Sequence, residues 1–327
     1  MYTLGIETSC DETSVAIVQK RKVLACKTLS SLKFHKKYGG IIPEIASRKH
    51  LKFIDKVCKE ALREAKITFK DIRLVSVTQG PGLIGSLLVG ISYAKALAFS
   101  LKIPLLGINH LHAHLFSPFL NKPKMTLPFI GLVASGGHTE IYKLWDFDKI
   151  EILGKTKDDA SGEVLDKVGR FYGLGFPAGP KIDKLFRENL IKKDLFRLKN
   201  REEISFSFSG IKTRAIYMEK ALRKDKTKYA SQLKILLSSF QYTVINSLIN
   251  NLTKAVIKNK IKAVACGGGV VANSYFRKRV TELGRKENLK IFLPELKFCQ
   301  DNAAAVAGLG EYLYKKGYRS SYELTPF

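Results

Sequence analysis

Shifted by 126 residues, the opening of the chain falls on a later stretch of itself. Gly5 meets Gly131, Ser9 meets Ser135 and Thr13 meets Thr139. Leu4, Ile6 and Val15 meet Ile130, Leu132 and Ile141, so the apolar alternation repeats along with the small polar turn. A period of two marks a strand, and two such runs around a turn mark a hairpin. The alternative is two unrelated hairpins that share a few residues. A strand–turn–strand that recurs, each time followed by more β structure, points instead to two related lobes facing one cleft.

TLGIE, SVAIV and KVLACKTLSS form the first three expected strands. Ile45, Ile54, Val57, Ala61 and Leu62 give residues 43–65 a helical spacing. Arg73–Thr78 reads as a strand, GPGLIGS as a glycine-rich loop entering a helix over Ser86–Leu101, and Leu105–Ile108 as a short buried strand. The second half restarts at LPFIGLVASGGHTEIYKL and runs through a polar helical region over 150–230. A long amphipathic helix over 229–258, the strand–glycine–helix KAVACGGGVVANSYF, a strand KIFLP and a helix from about Asn302 to Lys316 follow. Alternating strands and helices place the chain in the α/β class.

Composition narrows the class further. A chain of 327 residues suggests two domains or one large two-lobed domain. With 45% hydrophobic residues it can bury sizeable cores. The longest apolar stretches, Leu83–Val89 and Ala94–Leu101, are interrupted by Gly, Ser or Lys. They fall short of the roughly 18–20 residues of a membrane span, so no integral membrane protein is expected. The opening MYTLGIETSCDE has no basic region and carries acids early, which is unlike a signal peptide. Five cysteines (Cys10, Cys26, Cys58, Cys266, Cys299) without CxxC spacing exclude a disulfide framework and a zinc ribbon and favour a reducing cytoplasm.

Charge is the strongest compositional signal. Fifty-six Lys and Arg against 29 Asp and Glu give +27. The cations are spread over Lys20–Lys22, Lys33–Lys37, Arg187–Arg201, Arg223–Lys228 and Arg277–Lys290. A polyanion such as nucleic acid is the natural partner. The competing explanation is a lysine-rich proteome or a thermophile's charged surface.

Three of the six histidines fall in INHLHAHLFSPFL. Asn109 suits the N-cap of a helix ending near Leu120. His110 and His114, at i and i+4, share one helical face and can present imidazoles to one ion, zinc or ferrous iron. The bland alternative is two histidines bonded to backbone. HExxH is absent, so a zincin protease is not supported. A third ligand is usually a carboxylate, and Asp301 in FCQDNAAA is one candidate among many, expected at an N-cap position. Ser135-Gly136-Gly137 and Gly267-Gly268-Gly269 each follow an apolar strand, where bare backbone can approach a phosphate. Acids collect in turns: Asp11 and Glu12, Asp158 and Asp159, then Glu163, Asp166 and Asp183. Glu163 and Asp166 share a helical face and could hold ribose hydroxyls or an amine; the plainer reading for Asp158–Glu163 is a helix start.

GIETSCDETSVAIV, GPGLIGSLLVG, NHLHAH, VASGGHTEIY, DDASGEVLDKVGR, FSFSGIKT, CGGGVVANSYFR and CQDNAAAVA occur in order, essentially end to end. Together they resemble the tRNA N6-adenosine threonylcarbamoyltransferase family, formerly called O-sialoglycoprotein endopeptidase, in its bacterial and mitochondrial branch. The resemblance implies a duplicated actin/Hsp70/sugar-kinase-like α/β fold around a central nucleotide cleft. Residues 1–108 with 295–327 would form lobe I, and 109–294 lobe II with helical insertions. It implies metal ligands at His110, His114 and Asp301, iron or zinc being the metal. The substrate loop would be Val133, Ala134, Ser135, Gly136 and Gly137, and the further adenylate-binding positions Asp166, Gly179, Asp183 and Asn273. One departure is visible: His112-Ala113 stands where the family usually has Glu-Gly.

The implied donor is threonylcarbamoyl-adenylate. The exocyclic amine of the adenosine beside the anticodon attacks its carbonyl and AMP leaves. Asp11 or Glu12 is the candidate to accept the amine proton; the alternative is that they only shape the turn or hold the metal's waters. Implied partners are tRNA, a donor-synthesising enzyme, a paralogous subunit of the same fold and a small P-loop ATPase, in the cytoplasm. Rival readings are a chaperone-like or sugar-kinase-like ATPase, a metalloprotease and a non-catalytic scaffold. The first does not explain His110 and His114, the second lacks an evident base, and the third does not explain intact ligands and glycine loops.

Overall fold

The computed structural model describes residues 1–122, 124–197, 202–223 and 229–327. The basic stretches 187–201 and 223–228 therefore lie partly outside the described residues. In chain order the elements are β1 (Tyr2–Glu7), β2 (Glu12–Gln19), β3 (Lys22–Ser30), α1 (Leu32–His35), α2 (Pro43–Ala65), β4 (Ile72–Gly80), α3 (Ile84–Leu101), β5 (Leu105–Asn109) and α4 (His110–Phe116). Then come β6 (Phe129–Ala134), β7 (Thr139–Asp146), β8 (Lys149–Lys155), α5 (Ser161–Phe171), α6 (Gly179–Leu185), α7 (Ser209–Leu222) and α8 (Tyr229–Asn259). β9 (Ala263–Gly267), α9 (Ser274–Lys286), β10 (Lys290–Phe292) and α10 (Ala303–Lys315) complete the chain.

These elements form two units, Met1–Met125 with Pro294–Phe327, and Thr126–Leu293. Each contains one five-stranded sheet, ordered β3-β2-β1-β4-β5 and β8-β7-β6-β9-β10. The expected boundary after residue 108 falls instead after Met125, because α4 packs on α10 of the first unit. The repeat read from sequence holds at the level of register. Gly5 pairs with Ala16 and Ile6 with Val15; Gly131 pairs with Tyr142 and Leu132 with Ile141. In both sheets the first hairpin strand also pairs in parallel with a later strand, β1 with β4 and β6 with β9. β8 is a strand where the sequence read as helical; it continues the meander from β7 across the tight turn at residues 147–148.

The core of the first unit gathers Leu4, Ile6, Val15 and Ile17 with the inner faces of α2 and α3. α10 covers the other face, lying on β1, β2 and β4. Gly5 allows this approach: a Cβ there would sit 2.3 Å from the Ala303 carbonyl oxygen and 2.7 Å from the Ala307 nitrogen. In the second unit α8 runs through the core, burying Leu237, Phe240, Val244 and Leu248 among others.

α3 is a longer apolar helix than the stretches read from sequence. Its 18 residues have a mean hydropathy of 1.6, so by length and composition it could cross a membrane. The lone Lys95 and small Gly90 and Ser92 neither break the helix nor lower its average enough. Leu87, Ile91, Ala94 and Ala98 face the core of the unit. Ile84, Leu88 and Phe99 are exposed.

Candidate functional site

Three parallel strands, β1, β4 and β5, end side by side, and the chemistry of the first unit gathers at those ends. After β5 the chain turns at once into α4. The Asn109 side chain caps that helix, accepting from the backbone N–H of Leu111 at 2.8 Å and of His112 at 3.1 Å. The helix is shorter than expected, passing into a 3-10 turn at Ser117–Phe119. Within it His110 and His114 lie on one face, with ring centroids 4.6 Å apart. Burial holds the imidazole of the intervening His112 down to about 4, so it stays neutral.

Asp301 arrives from the other end of the chain. It is not the cap of α10; Asn302 is, accepting from the Ala305 N–H at 3.0 Å. Asp301 Oδ1 lies 3.1 Å from His114 Nε2 and 3.5 Å from His110 Nε2. One ligand atom from each of His110, His114 and Asp301 lies within 4.8 Å of the others. His114 Nε2 is buried and has no hydrogen-bond partner among the described residues. A buried, unbonded imidazole nitrogen beside a carboxylate is costly unless something electrophilic completes it. Two imidazole nitrogens and one carboxylate oxygen form a donor set for zinc or ferrous iron. The three residues thus fit a divalent metal.

Behind His110 stands Glu7, which sequence reasoning missed. It is 1% exposed at the end of β1. Its carboxylate accepts from the Ser9 N–H at 2.5 Å, the Thr78 hydroxyl at 2.6 Å and His110 Nδ1 at 2.9 Å. Burial would raise the Glu7 carboxyl; the His110 charge and hydrogen bond outweigh it and hold the group below the usual range. Burial would lower His110, but the Glu7 and Asp301 charges outweigh it and lift the imidazole to about 9. The available signal was an acid closing an otherwise apolar strand.

Asp11 and Glu12, the two candidate catalytic acids, occupy the β1–β2 turn and the start of β2, and their environments differ. Asp11 Oδ2 accepts from the Ser30 hydroxyl at 2.8 Å. Glu12 is pushed well above the usual carboxylate range by burial, then by the negative charges of Asp301 and Asp11. The turn is fixed from α2 by His50, which bonds the Thr13 hydroxyl at 2.8 Å and the Cys10 carbonyl at 2.9 Å.

In the second unit, Val133 and Ala134 end β6, and Ser135, Gly136 and Gly137 form the turn to β7. Val133 pairs with Gly267 on β9, so the two glycine loops leave neighbouring parallel strands at the same end. Ligands of open α/β sheets bind at such ends. Among the described residues, a Cβ at Gly136 or Gly137 would meet nothing within 4 Å, so that turn borders open space. Asp166, Gly179, Asp183 and Asn273 serve first as local framework. Asp166 Oδ1 accepts from the N–H of Ala178 at 2.7 Å and of Gly179 at 2.8 Å. Asp183 accepts from Gln241 Nε2 and from the N–H and hydroxyl of Ser274, each at 2.9 Å. Asn273 caps α9 through Phe276 at 2.9 Å.

The acids of DDASGE divide their roles. Glu163 reaches back to the Ala160 N–H and pairs with Lys167 at 2.6 Å, the helix-start reading. Asp158 instead ties the start of α7, accepting from the Ser207 hydroxyl at 2.6 Å and the Phe208 N–H at 2.7 Å. Asp159 pairs with Lys212 of FSFSGIKT at 2.5 Å and with Lys167 at 3.0 Å. Burial opposes ionisation of Asp159, but these partners and Ser209 hold it down at about 2.

A family model described as tRNA N6-adenosine threonylcarbamoyltransferase matches residues 22–308. The protein of that name from Thermosipho africanus is 46% identical over 99% of this chain and 98% of its own length. Among solved structures, the chain resembles full-length HypF in a phosphate- and nucleotide-bound form, with a TM-score of 0.63 and 15% identity over 98% of this chain and 47% of that one. It also resembles the activator of 2-hydroxyisocaproyl-CoA dehydratase from Clostridium difficile, with a TM-score of 0.52 and 14% identity over 98% of this chain and 99% of that one. At these identities the structures speak to fold alone: the duplicated α/β fold of actin, Hsp70 and the sugar kinases.

Proposed function

The chain belongs to the tRNA N6-adenosine threonylcarbamoyltransferase family, and from that premise we propose how its residues divide the work. The enzyme transfers a threonylcarbamoyl group to the N6 amine of adenosine in tRNA. The protease and ATPase readings are not favoured by its relatives. The family is metal-dependent. We assign the metal, zinc or iron, to His110, His114 and Asp301. The observation that carries this assignment is the buried, unbonded His114 Nε2 beside Asp301. When bound, such an ion supplies Lewis acidity and a fixed template.

The donor in this reading is threonylcarbamoyl-adenylate. Val133–Gly137 would receive its AMP end, where open space borders bare backbone. Asp166, Gly179, Asp183 and Asn273 would complete the adenylate positions, through the atoms their framework bonds leave over. The adenosine next to the anticodon presents its N6 amine, a poor nucleophile, so positioning supplies much of the rate. A C–N bond forms at the carbamoyl carbon, the anhydride C–O bond breaks and AMP departs. The amine proton goes to a carboxylate. Asp11 and Glu12, at the β1–β2 turn, are the candidates for that task, and Asp11 Oδ2 is also engaged by the Ser30 hydroxyl.

The further partners in this reading are a donor-synthesising enzyme, a paralogous subunit of the same fold and a small P-loop ATPase. The exposed Ile84, Leu88 and Phe99 of α3 and Leu51 of α2 support a protein partner on the first unit. The reaction is placed in the cytoplasm, where its tRNA substrate and the five free thiols belong.

The test is mass analysis of tRNA nucleosides after incubation with donor, helper proteins and the enzyme. Wild type should yield threonylcarbamoyladenosine. His114→Ala and Asp301→Ala should lose both product and bound metal while remaining folded. Full metal occupancy in both variants overturns the ligand assignment.

A further inference from the structure

Three hydrogen-bond donors converge on one buried carboxylate at the end of β1. The Ser9 N–H, the Thr78 hydroxyl and His110 Nδ1 all reach Glu7, within 2.5–2.9 Å. Ser9 Oγ also lies 3.3 Å from the same His110 nitrogen. The other nitrogen of that ring, Nε2, faces Asp301. We infer that Glu7 is a positioning residue of the metal centre: it fixes the His110 ring with Nδ1 protonated, so that Nε2 is the nitrogen offered to the cation. The inference rests on the metal reading above.

The physical case is one of matching donors to acceptors. An ionised carboxylate only accepts, and here it has two oxygens for three donors. Turning the ring over would remove the Nδ1–H from this acceptor and bury the carboxylate with a partner lost. The frame around Glu7 is rigid, because β1, β4 and β5 are adjacent parallel strands and supply Glu7, Thr78 and the start of α4. A carboxylate behind a ligand histidine sets its orientation and raises its basicity, and losing it typically costs about 10–100-fold in metal affinity. Glu7→Gln keeps the shape but replaces one acceptor oxygen with an NH2 group. That group must then face at least one of the three donors or draw the proton off His110 Nδ1.

The experiment uses zinc as the probe on the full-length protein. Zinc affinity is measured by competition with a chromophoric chelator for wild type, Glu7→Gln, Thr78→Val and His114→Ala. Glu7→Gln should bind about 10–100-fold more weakly than wild type. Thr78→Val, which removes a donor but leaves the carboxylate on His110, should lose clearly less. Nitrogen NMR of zinc-loaded wild type should show His110 protonated at Nδ1 and bound through Nε2. Its Nδ1 proton should exchange faster with water in Glu7→Gln. Zinc bound through His110 Nδ1 in wild type overturns the inference, even where Glu7→Gln does not fold. Wild-type affinity in a folded Glu7→Gln also overturns it, as does an equal loss in Thr78→Val, which would mark a general packing effect. If His114→Ala binds zinc as wild type does, the metal reading itself fails and the inference falls with it.

Discussion

Gly136 and Gly268 sit in the two loops that follow β6 and β9, yet they answer to different constraints. Gly268 has φ +99°, and a Cβ there would lie 2.4 Å from the Ala134 carbonyl oxygen. Gly268→Ala should therefore destabilise the protein by about 2 kcal/mol or more, through backbone strain and overpacking together. Its urea midpoint should fall accordingly. At Gly136 a Cβ meets nothing within 4 Å among the described residues. Gly136→Ala should leave the midpoint nearly unchanged, within about 0.5 kcal/mol. If the turn receives the donor's phosphate, displacing one backbone contact to a charged group costs about 1.5–3 kcal/mol, or roughly tenfold and upward in affinity. Calorimetry with normal donor affinity would move the phosphate away from this turn.

At the scale of elements, α2 holds the β1–β2 turn through His50, and the β3–α1 connection holds His35. The His35 ring bonds the Ser31 hydroxyl at 2.9 Å and the Ile42 N–H at 3.1 Å. Burial lowers the pKa of both imidazoles, against smaller opposing contributions from Asp11 and, for His50, the Cys10 carbonyl. In the unfolded chain a histidine takes its proton near pH 6.5. Folded, these two take it only at lower pH. Their contribution to stability is thus complete above about pH 6.5 and is lost as pH falls through the folded values. The slope is up to about 1.4 kcal/mol per pH unit for each group. Urea midpoints should drop between pH 7.5 and 5.5, and His50→Gln should flatten part of that drop. An unchanged slope in His50→Gln would mean that this ring is not titrating against the fold.

Over the whole molecule, the charge of +27 faces a polyanionic substrate. Each neutralised phosphate contributes a slope of about −0.7 to −0.9 in log affinity against log salt. A handful of contacts predicts a loss of roughly several-hundred-fold or more over a tenfold rise in salt. Within the basic stretch 187–201, Lys193 and Arg197 line a cavity of about 640 Å³ together with Lys254 and Tyr242. Replacing those three cations with Gln should flatten the salt slope of tRNA binding and leave donor binding intact. A slope unchanged by those substitutions would place the RNA contacts on other basic segments.

The sequence by itself determined the periodic and local features. The first hairpin of each sheet, its duplication and even the shared register follow from alternation at Leu4–Ile6 and Ile130–Leu132, because side-chain period fixes which face is buried. The i, i+4 spacing put His110 and His114 on one helical face for the same kind of reason. What lies far apart in the chain was decided only by the tertiary structure. Asp301 reads from sequence as a plain helix cap; it meets the histidines because α10 folds back over β1 and leaves capping to Asn302. Asp158 and Asp159 read as a helix start, but they bond Phe208 and Lys212 some fifty residues later. Glu7 carries no spacing signal at all. Its partners are Thr78 on β4 and His110, the residue that follows β5, which sheet pairing alone brings beside it, and a buried carboxylate is tolerated only where such donors converge.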